Sequence, residues 1–247
     1  MISLLARRLS SWGKLGELLL FPSFCQVCAA LLEKPGEKVV CGDCLGKLRR
    51  IEGPFCLCCG RFFEGAGEPH LCAECLRNRP PFTRHRSGAR YKGIAKDIIL
   101  LYKYRGFEVL SRVLADFIIR SLDREDDLWS GVEAFVPVPL HPAKERRRGF
   151  NQARLLAGRL ARQKNIPLLE GRLVKVRPTP AQTSLEARER KTNLEGAFQI
   201  KRSVGLKGKI VLLVDDVYTT GSTIRECSRA LRKAGVKEVR AVTIARA

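Results

Sequence analysis

A chain of 247 residues, 45% apolar and 7% aromatic, has the composition of a folded protein of one or two domains. Its 46 Lys and Arg against 25 Asp and Glu give a formal charge of +21, a field that concentrates phosphorylated ligands, nucleic acid or anionic lipid. No apolar run reaches the ~18 residues of a membrane span, so no transmembrane segment is expected.

At the start of the chain, Ile2, Leu5, Leu9, Trp12, Leu15 and Leu19 fall three or four apart, which predicts an amphipathic helix over residues 1–22. Arg7, Arg8, Lys14 and Glu17 interrupt it, so it lacks the continuous apolar core of a signal peptide. A helix packed on its own protein is the expectation, and a membrane-surface helix is the alternative.

Residues 23–79 carry eight of the ten cysteines, in four C-x-x-C pairs: Cys25/Cys28, Cys41/Cys44, Cys56/Cys59 and Cys72/Cys75. Without a secretory signal, this spacing reads as metal binding in a reducing cytoplasm and not as disulfides. Both halves, 25–44 and 56–75, follow C-x2-C-x12-C-x2-C, and each cysteine recurs 31 positions later. Phe24 with Phe55, Glu33 with Glu64, Gly36 with Gly67 and Leu45 with Leu76 repeat at the same offset, which marks a tandem duplication. Two residues between thiolates let a tight turn aim both sulfurs at one ion, and two turns complete a closed tetrahedral site. Two structural zinc ions per chain are expected, with an iron–sulfur cluster as the alternative. Consecutive pairing of ligands matches the duplication, and a cross-braced arrangement stays open. Cys58 is read as a bystander, and His70 as a dispensable substitute ligand. Such modules serve contacts with nucleic acid or protein, or scaffold alone.

After a proline-bearing linker at Arg77–Arg86, the pattern alternates between strands and helices through residues 86–247. Strands are predicted at Ser87–Tyr91, Glu133–Leu140, Leu173–Val176, Ala197–Ile200, Lys209–Val214 and Val239–Ala245. Helices are predicted at Gly93–Tyr104, Phe107–Leu122, Gly149–Gln163 and Gly221–Ala234. Alternation of this kind gives an α/β fold with a mainly parallel sheet, whose ligands bind at the carboxyl ends of its strands. The polar stretch Arg177–Gly196 is long for a connection and reads as a functional loop.

The sharpest signal is the buried strand Ile210–Val214 followed by Asp215, Asp216, Thr219, Thr220, Gly221, Ser222 and Thr223. Backbone N–H groups of the loop and the next helix N-terminus form an anion cradle, and the hydroxyls add donors. Gly221 permits close approach. Two acids beside a phosphate need a ribose diol or a bound Mg2+ between them, so the site suits a ribose 5-phosphate.

This stretch resembles the phosphoribosyl pyrophosphate signature of type I phosphoribosyltransferases. Val136-Pro-Val-Pro-Leu-His-Pro142, Arg148-Gly-Phe-Asn-Gln152, Thr179-Pro-Ala-Gln-Thr-Ser-Leu185, Arg188 through Asn193, and Lys103-Tyr104 are similar to the ComF family of competence-associated proteins. The resemblance implies a type I phosphoribosyltransferase-like domain behind an N-terminal double zinc ribbon. It implies a pyrophosphate-contacting turn at Val138, Pro139 and Leu140, and a closing loop over Arg177–Gly196. Lys103, Arg148, Arg188 and Lys191 become the cations for pyrophosphate charge. Asp215 and Asp216 hold the ribose, and magnesium accompanies phosphoribosyl pyrophosphate or a related nucleotide. The resemblance also implies single-stranded DNA as a partner in natural transformation, and a homodimer. The basic run Lys144–Arg148, and Phe62 and Phe63 as stacking platforms, suit a DNA-handling protein; a zinc-ribbon interaction protein is the third reading. Only one helix and one strand follow Thr223, so no hood for an acceptor base is evident, and the zinc module is the candidate for that place.

Overall fold

The computed structural model describes residues 23–32, 39–178 and 194–247. The predicted N-terminal helix and most of the predicted closing loop, including Arg188 and Lys191, lie outside the described residues. The chain forms two compact units, Met1–Leu48 and Arg49–Ala247. No helix among the described residues is long and apolar enough to cross a membrane.

The first unit holds one metal knuckle. An antiparallel bridge between Phe24 and Leu31 closes the first C-x-x-C turn, and the second turn opens α1, Gly42–Gly46. Cys41 caps this helix, its sulfur accepting from the N–H of Cys44. The second unit begins with the same construction 31 positions on: a Phe55–Phe62 bridge and α2, Ala73–Arg77. Hydrogen bonds repeat as well, Cys25 N to Ala30 O becoming Cys56 N to Arg61 O. The duplication read from the cysteines is therefore a duplication of backbone geometry.

The rest of the second unit is α/β. In chain order it contains β1 (Arg84–Arg90), α3 (Gly93–Tyr104), α4 (Leu110–Ser121), α5 (Asp126–Trp129), β2 (Ala134–Pro137), α6 (Pro142–Arg148) and α7 (Gln152–Lys164). There follow β3 (Leu173–Lys175), β4 (Phe198–Ile200), β5 (Ile210–Tyr218), α8 (Ser222–Lys233) and β6 (Glu238–Arg246). Four strands form a parallel sheet in the order β1-β6-β5-β2, and β3 and β4 form an antiparallel pair beside it. Strand residues alternate between faces. Val211, Leu213, Val239 and Ala241 pack with Ile224, Cys227 and Leu231 of α8, while α4 and α7 pack against the sheet's other face. Central strands covered on both faces must be apolar throughout, as Val211 through Val214 are.

The second knuckle belongs to this core. Cys56, Cys59, Cys72, Cys75 and Phe82 are buried in the same cluster as α8. The edge strand β1 meets it directly, His85 N–H donating to Cys58 O at 2.7 Å and the Arg86 guanidinium to Leu57 O at 3.1 Å. An open sheet edge is thereby covered. Position 29 of the first repeat carries Ala at φ +59°, but its counterpart is Gly60, where a Cβ would lie 2.6 Å from the backbone oxygen of His85.

The structure differs from the sequence expectation in places. β5 runs on to Tyr218, so Asp215 and Asp216 sit inside a strand and not after it. Pairing with β6 causes this, Asp215 lying opposite Thr243 and Tyr218 opposite Arg246. The helix expected from Gly149 starts at Gln152, because Gly149, at φ +87°, terminates the unforeseen helix α6. α5 is a second short helix without a periodic signal.

Candidate functional site

Both cysteine tetrads pass a geometric test for zinc. Their ligand sets are consecutive, 25/28/41/44 and 56/59/72/75, with the sulfurs of each set within 4.8 Å of one another. A Zn–S bond of about 2.3 Å sets tetrahedral sulfurs about 3.8 Å apart. The separations are 3.9 Å for Cys25–Cys44, 3.6 Å for Cys28–Cys41 and 3.8 Å for Cys59–Cys72. Backbone N–H groups prepare one thiolate in each tetrad, while burial pushes Cys44, Cys59 and Cys75 up. Burial pushes Cys25 up, but N–H donors of Cys41, Cys28 and Val27 more than offset it and bring it to about 6. Burial is likewise overcome at Cys56 by Cys72, Cys59 and Cys58, again to about 6. Four thiolates leave no open position, so these are structural zinc sites. Cys58 stays outside, its thiol 3.7 Å from Phe82 O, and His70 stacks on Phe63 at 4.2 Å.

A cavity of about 320 Å³ opens at the carboxyl ends of β2 and β5. Of the residues read from sequence, Lys103, Val138, Pro139, Leu140, Arg148, Asp215, Asp216, Thr219, Gly221 and Thr223 line it. Thr220 and Ser222 instead bond each other, Oγ to Oγ, at 2.9 Å.

The loop is shaped by Gly221, which caps α8 at φ +78°. A Cβ there would collide with the Tyr218 hydroxyl and ring. Tyr218 cannot give way, since His85 packs against its ring at 4.2 Å and the Arg246 guanidinium lies over it, also at 4.2 Å. Gly221→Ala is therefore expected to cost about 1–3 kcal/mol in a thermal melt. An unchanged melt would show that the loop does not depend on this conformation.

The two carboxylates have different surroundings, because adjacent strand residues point to opposite faces. Asp216 is buried, with Lys103 Nζ on Oδ1 at 2.7 Å and Gln152 Nε2 on Oδ2 at 2.6 Å. Arg148 extends the chain, donating to Gln152 Oε1 at 2.5 Å while its guanidinium lies over Tyr104. Burial would lower the Lys103 ammonium, but the Asp216 carboxylate more than offsets this and raises it. Asp215 is partly buried, and its Oδ1 accepts from the Asp216 N–H at 2.8 Å. Burial, then the charge of Asp216, pushes Asp215 up to about 7. Lys144 and Lys175 also line the cavity, each lowered first by burial.

Sequence reasoning missed the roles of Gln152, Asn151 and Lys175. The first two lie in the quoted motif Arg148–Gln152. Asn151 caps α7 through Oδ1, accepting from Ala153 N at 2.9 Å, while its Nδ2 donates to Val138 O at 3.1 Å. One side chain thus starts a helix and fixes the turn at Val138. An Asn before a helical run was a readable cap signal; its second bond was not. Lys175 had no sequence signal.

Comparison with known proteins agrees with this architecture. Residues 149–247 match the phosphoribosyl transferase domain, and residues 18–76 match the double zinc ribbon domain. "Competence protein F" of Haemophilus influenzae is 39% identical over 61% of this chain and 67% of its own. "Competence protein ComFC" of Streptococcus pneumoniae is 33% identical over 66% of this chain and 68% of its own. "Competence protein ComFC" of Bacillus subtilis is 30% identical over 84% of this chain and 83% of its own. With two zinc-fitting tetrads, a parallel α/β domain and these relatives, the chain belongs to the ComF family of competence-associated proteins.

Proposed function

We propose that this protein binds phosphoribosyl pyrophosphate with Mg2+ and serves DNA uptake in a reducing cytoplasm. The observation that carries the ligand reading is convergence on one cavity: a glycine-bearing loop at a helix N-terminus, the turn Val138–Leu140, a partly buried Asp215, and Lys103, Lys144, Arg148 and Lys175. The loop suits a 5-phosphate. The turn and the cations suit pyrophosphate. Asp215 is the carboxylate left for the ribose hydroxyls or Mg2+, which binds through one or two carboxylates plus substrate phosphates. Asp216 acts behind it, anchoring Lys103 and Gln152. The DNA-uptake assignment rests on the names of the relatives.

Calorimetry with Mg2+ and phosphoribosyl pyrophosphate tests the ligand reading. Asp215→Asn is expected to weaken binding by about 1.5–3 kcal/mol, roughly tenfold to a hundredfold. Affinity in the parent should fall as pH drops through about 7, where Asp215 takes up its proton. Stability should move the other way. A carboxyl raised from 3.8 to about 7 holds its proton more tightly when folded, so it costs stability as pH rises through that interval. Asp215→Asn should then melt higher than the parent near pH 8 and level with it near pH 4. Equal affinity in the two proteins would remove Asp215 from the site. Release of pyrophosphate on adding an acceptor would extend the reading from binding to transfer.

A further inference from the structure

A second pocket, about 330 Å³, adjoins the first where the second ribbon meets the sheet. Its cations come from separate elements: Arg61 from the ribbon, Arg90 from the end of β1, Lys92 from the turn after it, and Arg246 from the end of β6. Phe62 forms an aromatic wall with the Arg90 guanidinium over its ring, 5.5 Å from the centroid. Tyr91 and Thr219 line both pockets, so they share a wall at the phosphate loop. No Asp or Glu side chain lines the second pocket, and among the described residues none of its four cations has a carboxylate partner.

The placement is built. Arg246 is fixed by donating to Cys59 O at 2.8 Å while lying over Tyr218. The backbone closes the floor, Tyr91 N–H donating to Arg246 O at 2.7 Å and Ala247 N–H to Tyr218 O at 2.9 Å. Arg246 stands beside the Cys59 thiolate, and the other three cations, Arg61, Arg90 and Lys92, repel one another and lower the stability of the empty protein. A bound polyanion relieves that repulsion. An arginine over an aromatic ring beside further cations suits a planar base carrying a phosphate.

We infer that this pocket is a second phosphate site, which takes a nucleotide, free or at the end of a single strand, beside the ligand of the first cavity. The inference rests on the phosphoribosyl reading for the identity of its neighbour but not for its own ligand. The ribbon supplies Arg61 and Phe62, so the zinc module becomes a wall of the ligand site as well as a scaffold.

The test uses the full zinc-loaded chain and a fluorescent single-stranded oligonucleotide of mixed sequence, followed by anisotropy. Arg61 and Arg90 are exposed, so Arg61→Ala with Arg90→Ala should keep the parent melting temperature. The double variant should bind the oligonucleotide about tenfold more weakly or worse. Its log–log salt slope should fall by about 1.4, roughly 0.7 for each phosphate that is no longer neutralised. Calorimetry with Mg2+ and phosphoribosyl pyrophosphate should be unchanged. Competition by a free mononucleotide would identify the ligand as a nucleotide unit; competition only by a 5′- or 3′-phosphorylated strand would identify it as a strand end. Parent-like oligonucleotide affinity in the variant would overturn the proposal, as would displacement by polyglutamate as effective as that by nucleotides. If no protein bound phosphoribosyl pyrophosphate but the variant still bound the oligonucleotide more weakly than the parent, the first-cavity reading would fail and this one would stand.

Discussion

Cys75→Ser is expected to unfold the α/β unit, whereas Cys44→Ser is expected to spare it. The two cysteines hold equivalent places in the repeat, and each is buried in a tetrad that fits zinc. Their surroundings differ. The second tetrad shares a core cluster with Val211, Leu213, Ile224 and Leu231, and its knuckle carbonyls at Leu57, Cys58 and Cys59 accept from Arg86, His85 and Arg246. Structural zinc supplies about 10–16 kcal/mol in isolated fingers, comparable to the whole stability of a domain at about 5–15 kcal/mol. Loss of even a few kcal/mol should lower a melt of this size by about 10 °C or more. Elemental analysis should find one zinc per tetrad in the parent and one fewer in each variant. Circular dichroism should show the main transition kept in Cys44→Ser and abolished or strongly lowered in Cys75→Ser. Equal losses in the two variants would contradict integration of the second ribbon with the sheet.

Lys103→Met should be the most damaging single change inside the cavity. It leaves the buried Asp216 carboxylate with Gln152 alone, and breaking a buried ion pair from one side costs about 3–5 kcal/mol. The double variant Lys103→Met with Asp216→Asn removes the stranded charge and should recover most of that loss in urea denaturation. The contribution of the Lys103 ammonium is whole at neutral pH, because its raised folded value lies above the ordinary 10.5 and the stability is lost only as pH rises past that. A double variant as unstable as the single one would show that Lys103 matters through packing and not through charge. The double variant should still bind Mg2+ and phosphoribosyl pyrophosphate more weakly than the parent, since the Lys103 cation is gone from the cavity.

The sequence by itself determined the metal chemistry, the fold class and the place of the loop that opens α8. Each rests on local spacing. Two residues between thiolates fix a turn, and an offset of 31 fixes a duplication. An unbroken apolar run before a glycine and hydroxyl-rich loop fixes a buried strand entering a helix. Tertiary structure decided what the side chains do. Asp215 and Asp216 read as an equivalent pair, yet strand alternation sends them to opposite faces, and Lys103, distant in sequence, takes up one of them. The two ribbons read as equal copies, yet the second meets β1 through His85 and Arg86, and β6 through Arg246, within its unit. The pocket of Arg61, Arg90, Lys92 and Arg246 gathers charges from elements far apart in the chain. Periodicity and spacing report interactions between near neighbours in sequence. Ion pairs, sheet-edge docking and charge convergence depend on which strands lie side by side, and that order, β1-β6-β5-β2, is set by long-range packing.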